Sequence, residues 1–297
     1  MTTDRPVLGI LLMLGFCILA PLGDSIAKLL GGTIPLLQLL IVRFGLQAVL
    51  LLPLITASRR GLHMSPRVAW LTLVRTVLHI VGVGAMFMSL RFLPLADAVA
   101  IAFVMPFIML LLGRFVLKEE VGRHRLTACA VGFAGTLLVV QPSFAEVGGP
   151  ALLPLLVAVD FALFMLVTRQ IAKEVDPVSL QAISGAMATG VLFLVYGLTQ
   201  ITGVLETQMI APDVGTTSLL LAIGVIGTLA HLLMTWSLRF APSATLAPMQ
   251  YLEIPVATII GYMVFADLPN GPAALGIVIT ICAGLYIVIR EHKMSRR

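Results

Sequence analysis

The hexad SLRFLP at residues 89–94 returns almost unchanged as SLRFAP at residues 237–242. Each copy follows a long apolar segment and leads into another apolar segment that contains a proline, Pro106 in the first case and Pro255 in the second. The match covers the last two apolar segments of each half of the chain, and the earlier segments match in hydropathy alone. The repetition therefore predicts one folding unit that occurs twice.

The composition indicates a membrane protein. Of the 297 residues, 59% are hydrophobic and only 11% are charged, whereas a soluble domain carries about 25% charged residues. The apolar N-terminus is interpreted as a first span rather than a signal peptide, because equally apolar segments follow it. Cys17, Cys129 and Cys282 lie in apolar segments and are interpreted as packing residues. Neither a disulfide nor a metal site is expected.

Ten segments have the length of a spanning helix, which needs about 20 mostly apolar residues. We therefore expect an all-α polytopic membrane protein with ten transmembrane helices, five in residues 1–143 and five in residues 148–290, and a short basic tail at 291–297. The spans fall near residues 6–27, 34–57, 66–89, 95–116, 126–142, 150–170, 178–201, 215–238, 244–266 and 272–290.

The distribution of positive charge predicts the orientation. Ten spans place both termini on one side, and with that side in the cytoplasm fifteen of the nineteen Lys and Arg residues are cytoplasmic. Lys28 and Arg91 lie outside, and Arg43 and Arg75 lie within spans. The positive-inside rule favours this orientation, which also explains the net charge of +5 without a nucleic-acid partner. Because five is odd, the second unit is inverted relative to the first, as in many secondary transporters that work by alternating access.

Three stretches carry a family resemblance: LRFLPLADAVAIAFVMPFIMLLLGRFVLKEE (90–120), the glycine-containing segment 126–140, and the looser LRFAPSATLAPMQYLEIPVATIIGYMVFAD (238–267). They resemble the EamA-type branch of the drug/metabolite transporter superfamily, and within it the bacterial exporters of aromatic and other neutral amino acids. The resemblance implies a carrier of small organic solutes in the bacterial inner membrane, a monomer or homodimer in contact with lipid, without a cofactor. Asp267 stands where the family usually has an acidic pair, and no role is assigned to it.

The sequence thus predicts export of amino acids by alternating access. Import of another metabolite and extrusion of cationic drugs are alternatives within the superfamily. A non-transporting membrane enzyme or a lipid-handling scaffold is the alternative from a different class. HExxH, GxxxxGK[ST], CxxC and GxSxG signatures are missing from the sequence, so no catalytic residue is assigned and an enzyme is not expected.

Polar residues inside spans are the first candidates for a binding site, because a charge at the membrane centre costs about 2.5–3.5 kcal/mol on insertion scales. The stretch PMQYLEIP (248–255) places Gln250, Tyr251 and Glu253 between two prolines. Proline frees a backbone carbonyl, which lipid tolerates only against protein or a watery cavity. Glu253 is predicted to meet a substrate ammonium or to carry a proton. The alternative is an ion pair with an intramembrane arginine.

His79, Asp160 and His231 are further ionisable residues inside spans. A neutral imidazole both donates and accepts hydrogen bonds, so His79 suits a cavity wall, a bond to a neighbouring helix or proton coupling. Asp160 and His231 are predicted either to line the cavity or to bond to neighbouring helices.

Phe103, Met105 and Trp236 are candidates for contact with an apolar or aromatic part of the substrate, with helix packing as the alternative. Pro106 and Pro255, each near the middle of a span, are predicted to be hinges.

Two pairs with a spacing of four residues receive structural interpretations. Arg43 and Gln47 are expected to tether two helices. Asp24 and Lys28 are expected to form a pair near the outer surface, either solvated or acting as a gate latch.

Overall fold

The computed structural model describes residues 5–57, 64–118, 122–203 and 208–294, so the end of the predicted tail at 295–297 lies outside it. Two 3₁₀ segments, Gly149–Leu152 and Ala247–Leu252, interrupt an otherwise α-helical chain within these ranges. The α-helices are α1 (Pro6–Leu30), α2 (Leu36–Ala57), α3 (Pro66–Ser89), α4 (Leu95–Ala102), α5 (Met105–Phe115), α6 (Arg123–Val147), α7 (Leu153–Ile171), α8 (Pro177–Thr202), α9 (Val214–Phe240), α10 (Ser243–Leu246), α11 (Glu253–Phe265) and α12 (Gly271–Met294).

Eight helical segments of the described chain are long and apolar enough to cross a membrane. They coincide with the first eight predicted spans, although the fifth continues to Val147. The ninth and tenth predicted spans are shorter apolar helices, Met249–Phe265 and Gly271–Tyr286. The all-helical membrane architecture is therefore confirmed, while the count of ten transmembrane helices stays a prediction.

Two of the predicted spans are broken beside their prolines. In the first half α4 ends at Ala102, and α5 begins at Met105 with Pro106 in its first turn. In the second half the 3₁₀ segment Ala247–Leu252 precedes α11, whose third residue is Pro255. Proline lacks an N–H, and its ring clashes with the carbonyl four residues back, so a helix is interrupted on that side. The breaks lie where hinges are predicted; movement at them stays a prediction.

Helices of the two halves pack against each other rather than in separate bundles. The main contacts pair α1 with α9, α3 with α7, α2 with α8 and α6 with α12. Where α6 crosses α12, a Cβ on Gly135 would lie 2.7 Å from the backbone oxygen of Gly276. Small residues of this kind let transmembrane helices approach closely. Each half is thus completed by the other.

The two arginines of the repeated hexads make equivalent contacts. Arg91 Nη2 donates to the Ile34 oxygen at 3.0 Å, and Arg239 Nη1 donates to the Val175 oxygen at 3.1 Å. Both acceptors lie in the short connection between the first two helices of their half. These arginines therefore anchor the corner of each half instead of merely reaching for the membrane surface.

The predicted pair of Asp24 and Lys28 is wrong. Lys28 Nζ instead lies 2.9 Å from Asp267 Oδ2 and 3.1 Å from the Leu93 oxygen. Lys28 lies in the last turn of α1 and reaches the end of α11, whereas Asp24, one turn deeper, faces the interior. The residue left without a role, Asp267, thus joins α1 to the end of α11.

A side-chain cap fixes the start of α9. The Asp213 carboxylate accepts a hydrogen bond from the Thr216 N–H at 2.9 Å, as N-cap residues do. Hydrogen bonds from the Thr216 side chain and from this N–H favour the ionised form and lower the pKa of the exposed Asp213 carboxyl.

Candidate functional site

A central cavity of about 830 Å³, open space at its mouth included, lies between the two halves. The wall comes mainly from the C-terminal halves of α1 and α3 and the N-terminal halves of α2 and α7, with central residues of α9. The cavity therefore lies in the half of the bundle in which α1 ends.

Aromatic and sulfur-containing side chains form much of this wall. Phe16 and Phe161 are stacked, with ring centroids 6.0 Å apart and an angle of 14° between the planes. Phe103 and Met105, at the break between α4 and α5, are both on the wall, as is Phe87 of α3. Rings and thioethers make polarizable contacts with flat apolar groups, so the wall suits an aromatic solute.

Three charged side chains line the cavity in the described part of the chain: Asp24, Arg43 and Glu253. Arg43 donates to Gln47 Oε1 at 3.0 Å and to the Gly227 oxygen at 3.4 Å, and its charge acts on Asp24. Glu253 is 9% exposed and has neither a hydrogen bond nor an ion pair with any described residue. The predicted alternative for Glu253, an ion pair with an intramembrane arginine, is therefore not found.

Two histidines meet beside Arg43. His79 Nε2 lies 3.2 Å from His231 Nε2 and 3.5 Å from Arg43 Nη2. Arginine only donates hydrogen bonds, so His79 Nε2 is the acceptor and His231 Nε2 carries the shared proton. That assignment puts the proton of neutral His79 on Nδ1, where no described group accepts it. His231 lines the cavity and His79 lies directly behind it.

Beyond the cavity, Arg75 closes the other half of the bundle. Its Nε donates to Thr168 Oγ1 at 2.9 Å, Nη1 to Ser184 Oγ at 2.8 Å, and Nη2 approaches Thr235 Oγ1 at 3.5 Å. The guanidinium also lies over the Phe164 ring, 4.5 Å from its centroid. Burying a charge is costly unless its donors are satisfied. These hydroxyls satisfy them and join α3, α7, α8 and α9.

A cluster of buried methionines fills the space below the cavity floor. Gln250 lies among them, and its Nε2 donates to Met165 Sδ at 3.1 Å and Met13 Sδ at 3.8 Å. Its Oε1 has no partner among the described residues. Gln250 is thus placed under the floor and not on the wall. The methionines below the floor are Met13, Met109, Met165, Met234 and Met249, and Met105 of the wall belongs to the same cluster.

Three other predicted site residues also lie off the wall. Tyr251 is fully buried behind Phe103, with ring centroids 5.5 Å apart. Trp236 packs against a separate cluster that includes Leu232. Asp160 faces the α3 backbone, where a Cβ on Gly82 would collide with its Oδ2.

Helices of two halves around a central polar and aromatic cavity are an arrangement that secondary transporters use. The model of the EamA-like transporter family matches residues 7–141 and again residues 149–290, and the chain belongs to that family.

Curated relatives agree with this assignment, and a solved structure shares the fold. The chain is 29% identical over 267 residues to a riboflavin transporter of Brucella anthropi, and the aligned region covers 89% of this chain and 85% of the relative. It is 25% identical over 275 residues to an S-adenosylmethionine uptake transporter of Rickettsia felis, 92% and 90% of the two chains. One crystal structure matches with a TM-score of 0.69 and 17% identity, covering 97% of this chain and 98% of the other, which shows the fold.

Proposed function

We propose that this protein is an uptake carrier for a metabolite that contains a flat heterocyclic ring, with riboflavin as the first candidate. The observation that carries the proposal is the cavity wall with its stacked Phe16 and Phe161. Relatives named for riboflavin and for S-adenosylmethionine uptake support it, because both compounds contain a flat ring system. These relatives favour the alternative of metabolite import over the predicted export of amino acids.

We further propose that the carrier works by alternating access between two inverted repeats of five helices. Exchanging the two halves turns the contact of α1 with α9 into the contact of α7 with α3, and both contacts are present. The pairs α2 with α8 and α6 with α12 map onto themselves. A bundle with this internal symmetry has a second conformation available in which the halves exchange roles.

The orientation predicted by the positive-inside rule determines the side of the membrane to which the cavity opens. With both termini in the cytoplasm, the half of the bundle in which α1 ends is periplasmic, so the cavity faces the periplasm. The Arg75 cluster and the methionine cluster then close the cytoplasmic half. This is the conformation that receives a solute from outside, as uptake requires.

The test is flux of unmodified compounds into liposomes that contain the purified protein. Saturable uptake of riboflavin or S-adenosylmethionine, with little uptake of phenylalanine, is the expected result. Ala20→Phe fills the cavity wall and should abolish uptake. The matched control, Ala130→Phe, adds the same ring on an exposed face of α6 and should leave uptake unchanged. Uptake of phenylalanine alone would reinstate the amino-acid carrier.

The inverted orientation of the halves has its own test. Phe92→Cys and Phe240→Cys follow the two hexad arginines, and each is introduced into a variant without the exposed Cys282. A membrane-impermeant thiol reagent applied to intact cells should label the first and spare the second. Labelling of both from the same side would refute the inversion.

A further inference from the structure

Within the described part of the chain, Glu253 is the charged group of the cavity wall that has no opposite charge bonded to it. It is 9% exposed, it lies on the cavity wall, and no described residue bonds to it. The other acidic residue on this wall, Asp24, cannot supply an opposite charge. Arg43, the positive charge on the wall, already acts on Asp24 and is bonded to Gln47 and Gly227.

The position of Glu253 in its helix does not replace that missing charge. Glu253 is the first residue of α11, where the partial positive charge of a helix N-terminus favours a carboxylate. This effect is modest, whereas an ionised carboxylate that loses its contact with water needs a full counter-charge or hydrogen-bond donors, or must take up a proton. No described residue supplies such a charge or such donors to Glu253.

We propose that the Glu253 carboxylate is the counter-charge for a cationic centre on the carried solute. The inference rests on the proposed function, and it predicts that among solutes with a flat ring the carrier prefers those that also carry a positive charge. The neighbouring rings strengthen this preference, because the faces of Phe16, Phe103 and Phe161 also attract cations. Glu253 is thus a specificity-determining residue, while the aromatic wall holds the ring.

The test uses two probes that differ in one charge. S-Adenosylmethionine carries a sulfonium cation, and S-adenosylhomocysteine lacks its methyl group and has a neutral sulfur at the same place. Binding of both to the purified protein in lipid nanodiscs is measured by titration. The expected preference of the wild-type protein for the sulfonium compound is at least about tenfold, since removing one member of a buried charge pair costs that much or more.

Three variants separate charge from structure. Glu253→Gln keeps the shape and removes the charge, so the ratio of the two affinities should fall to near one. Glu253→Asp keeps the charge and should retain part of the preference. The matched control Glu146→Gln neutralises an exposed carboxylate of α6 and should leave the ratio at its wild-type value. A ratio is insensitive to partial loss of folded protein, which melting curves also check.

The proposal is overturned if the wild-type protein binds the two probes equally or binds neither. It is equally overturned if Glu253→Gln keeps the full preference. Riboflavin is uncharged, so its uptake tests the carrier assignment independently of the Glu253 charge. Uptake of riboflavin leaves the carrier assignment standing when the charge proposal fails, whereas no uptake of any ring compound removes the carrier assignment itself.

Discussion

Gly135→Ala should weaken the joint between the two halves, because it adds a methyl group where α6 crosses α12. The new Cβ would lie 2.7 Å from the Gly276 oxygen and 3.2 Å from Ile279 Cγ2. Ordinary contact begins at 3.4 Å, so the helices must separate by about 0.7 Å at this point, as neither backbone can rotate away. The separation also loosens the packing of the turns on either side.

The expected magnitude follows from two opposing effects. Overpacking of a well-packed interface costs about 1–3 kcal/mol, while replacing glycine by alanine inside a helix gains about 0.5–1 kcal/mol. The net loss is therefore up to about 2.5 kcal/mol, with a central value of about 1 kcal/mol. For a chain of this size the central value corresponds to a fall in melting temperature of roughly 2–4 °C.

The measurement is thermal unfolding of the purified protein in one detergent, with Gly190→Ala as the matched control. Gly190 lies inside α8, and a Cβ there would meet nothing within 4 Å. The control should therefore melt at or slightly above the wild-type temperature. If Gly135→Ala melts like Gly190→Ala, the close crossing of α6 and α12 is refuted.

Two further predictions concern charged groups outside the cavity. Arg75→Met leaves two buried hydroxyls without their hydrogen-bond donor and should lower the free energy of unfolding by about 1–3 kcal/mol. Thermal melting measures the loss. An unchanged melting temperature would contradict the conclusion that the Arg75 hydrogen bonds stabilise the fold. Lys28→Met breaks the half-exposed pair with Asp267 and should cost at most about 1 kcal/mol. Arg67→Met breaks the exposed pair with Glu174 and should have no measurable effect on the melting temperature. A larger loss of stability for Arg67→Met than for Lys28→Met would contradict the conclusion that the less exposed pair stabilises the fold more.

The sequence predicted the helices well, because long apolar segments between charges and prolines report directly on membrane spans. The same periodicity cannot say which helix of one half faces which helix of the other. Asp24 illustrates the limit: four residues from Lys28, it was interpreted as a local pair, yet Lys28 bonds to Asp267, far away in the chain. Phe16 gave no signal at all, since one phenylalanine in an apolar helix is ordinary.

The polar cluster of residues 248–255 was recognised as a unit, but its members separate in three dimensions. Gln250 points under the cavity floor, Tyr251 packs behind Phe103, and Glu253 alone reaches the cavity. The break between the 3₁₀ segment and α11 comes immediately before Glu253. Side-chain directions across such a break depend on local backbone angles, which helical spacing does not encode.

The two halves are alike in packing and unlike in chemistry, and this difference bears on how transport is coupled to binding. The break in the first half presents Phe103 and Met105, and the break in the second half presents Glu253. Under the proposal, the empty carrier keeps Glu253 in contact with water through the open cavity, because closing over an unpaired carboxylate is costly. A bound cation removes that cost. The conformational change in which the halves exchange roles is then favourable when the solute is bound. A positive charge on the solute therefore serves both its recognition and the conformational change that moves it across the membrane.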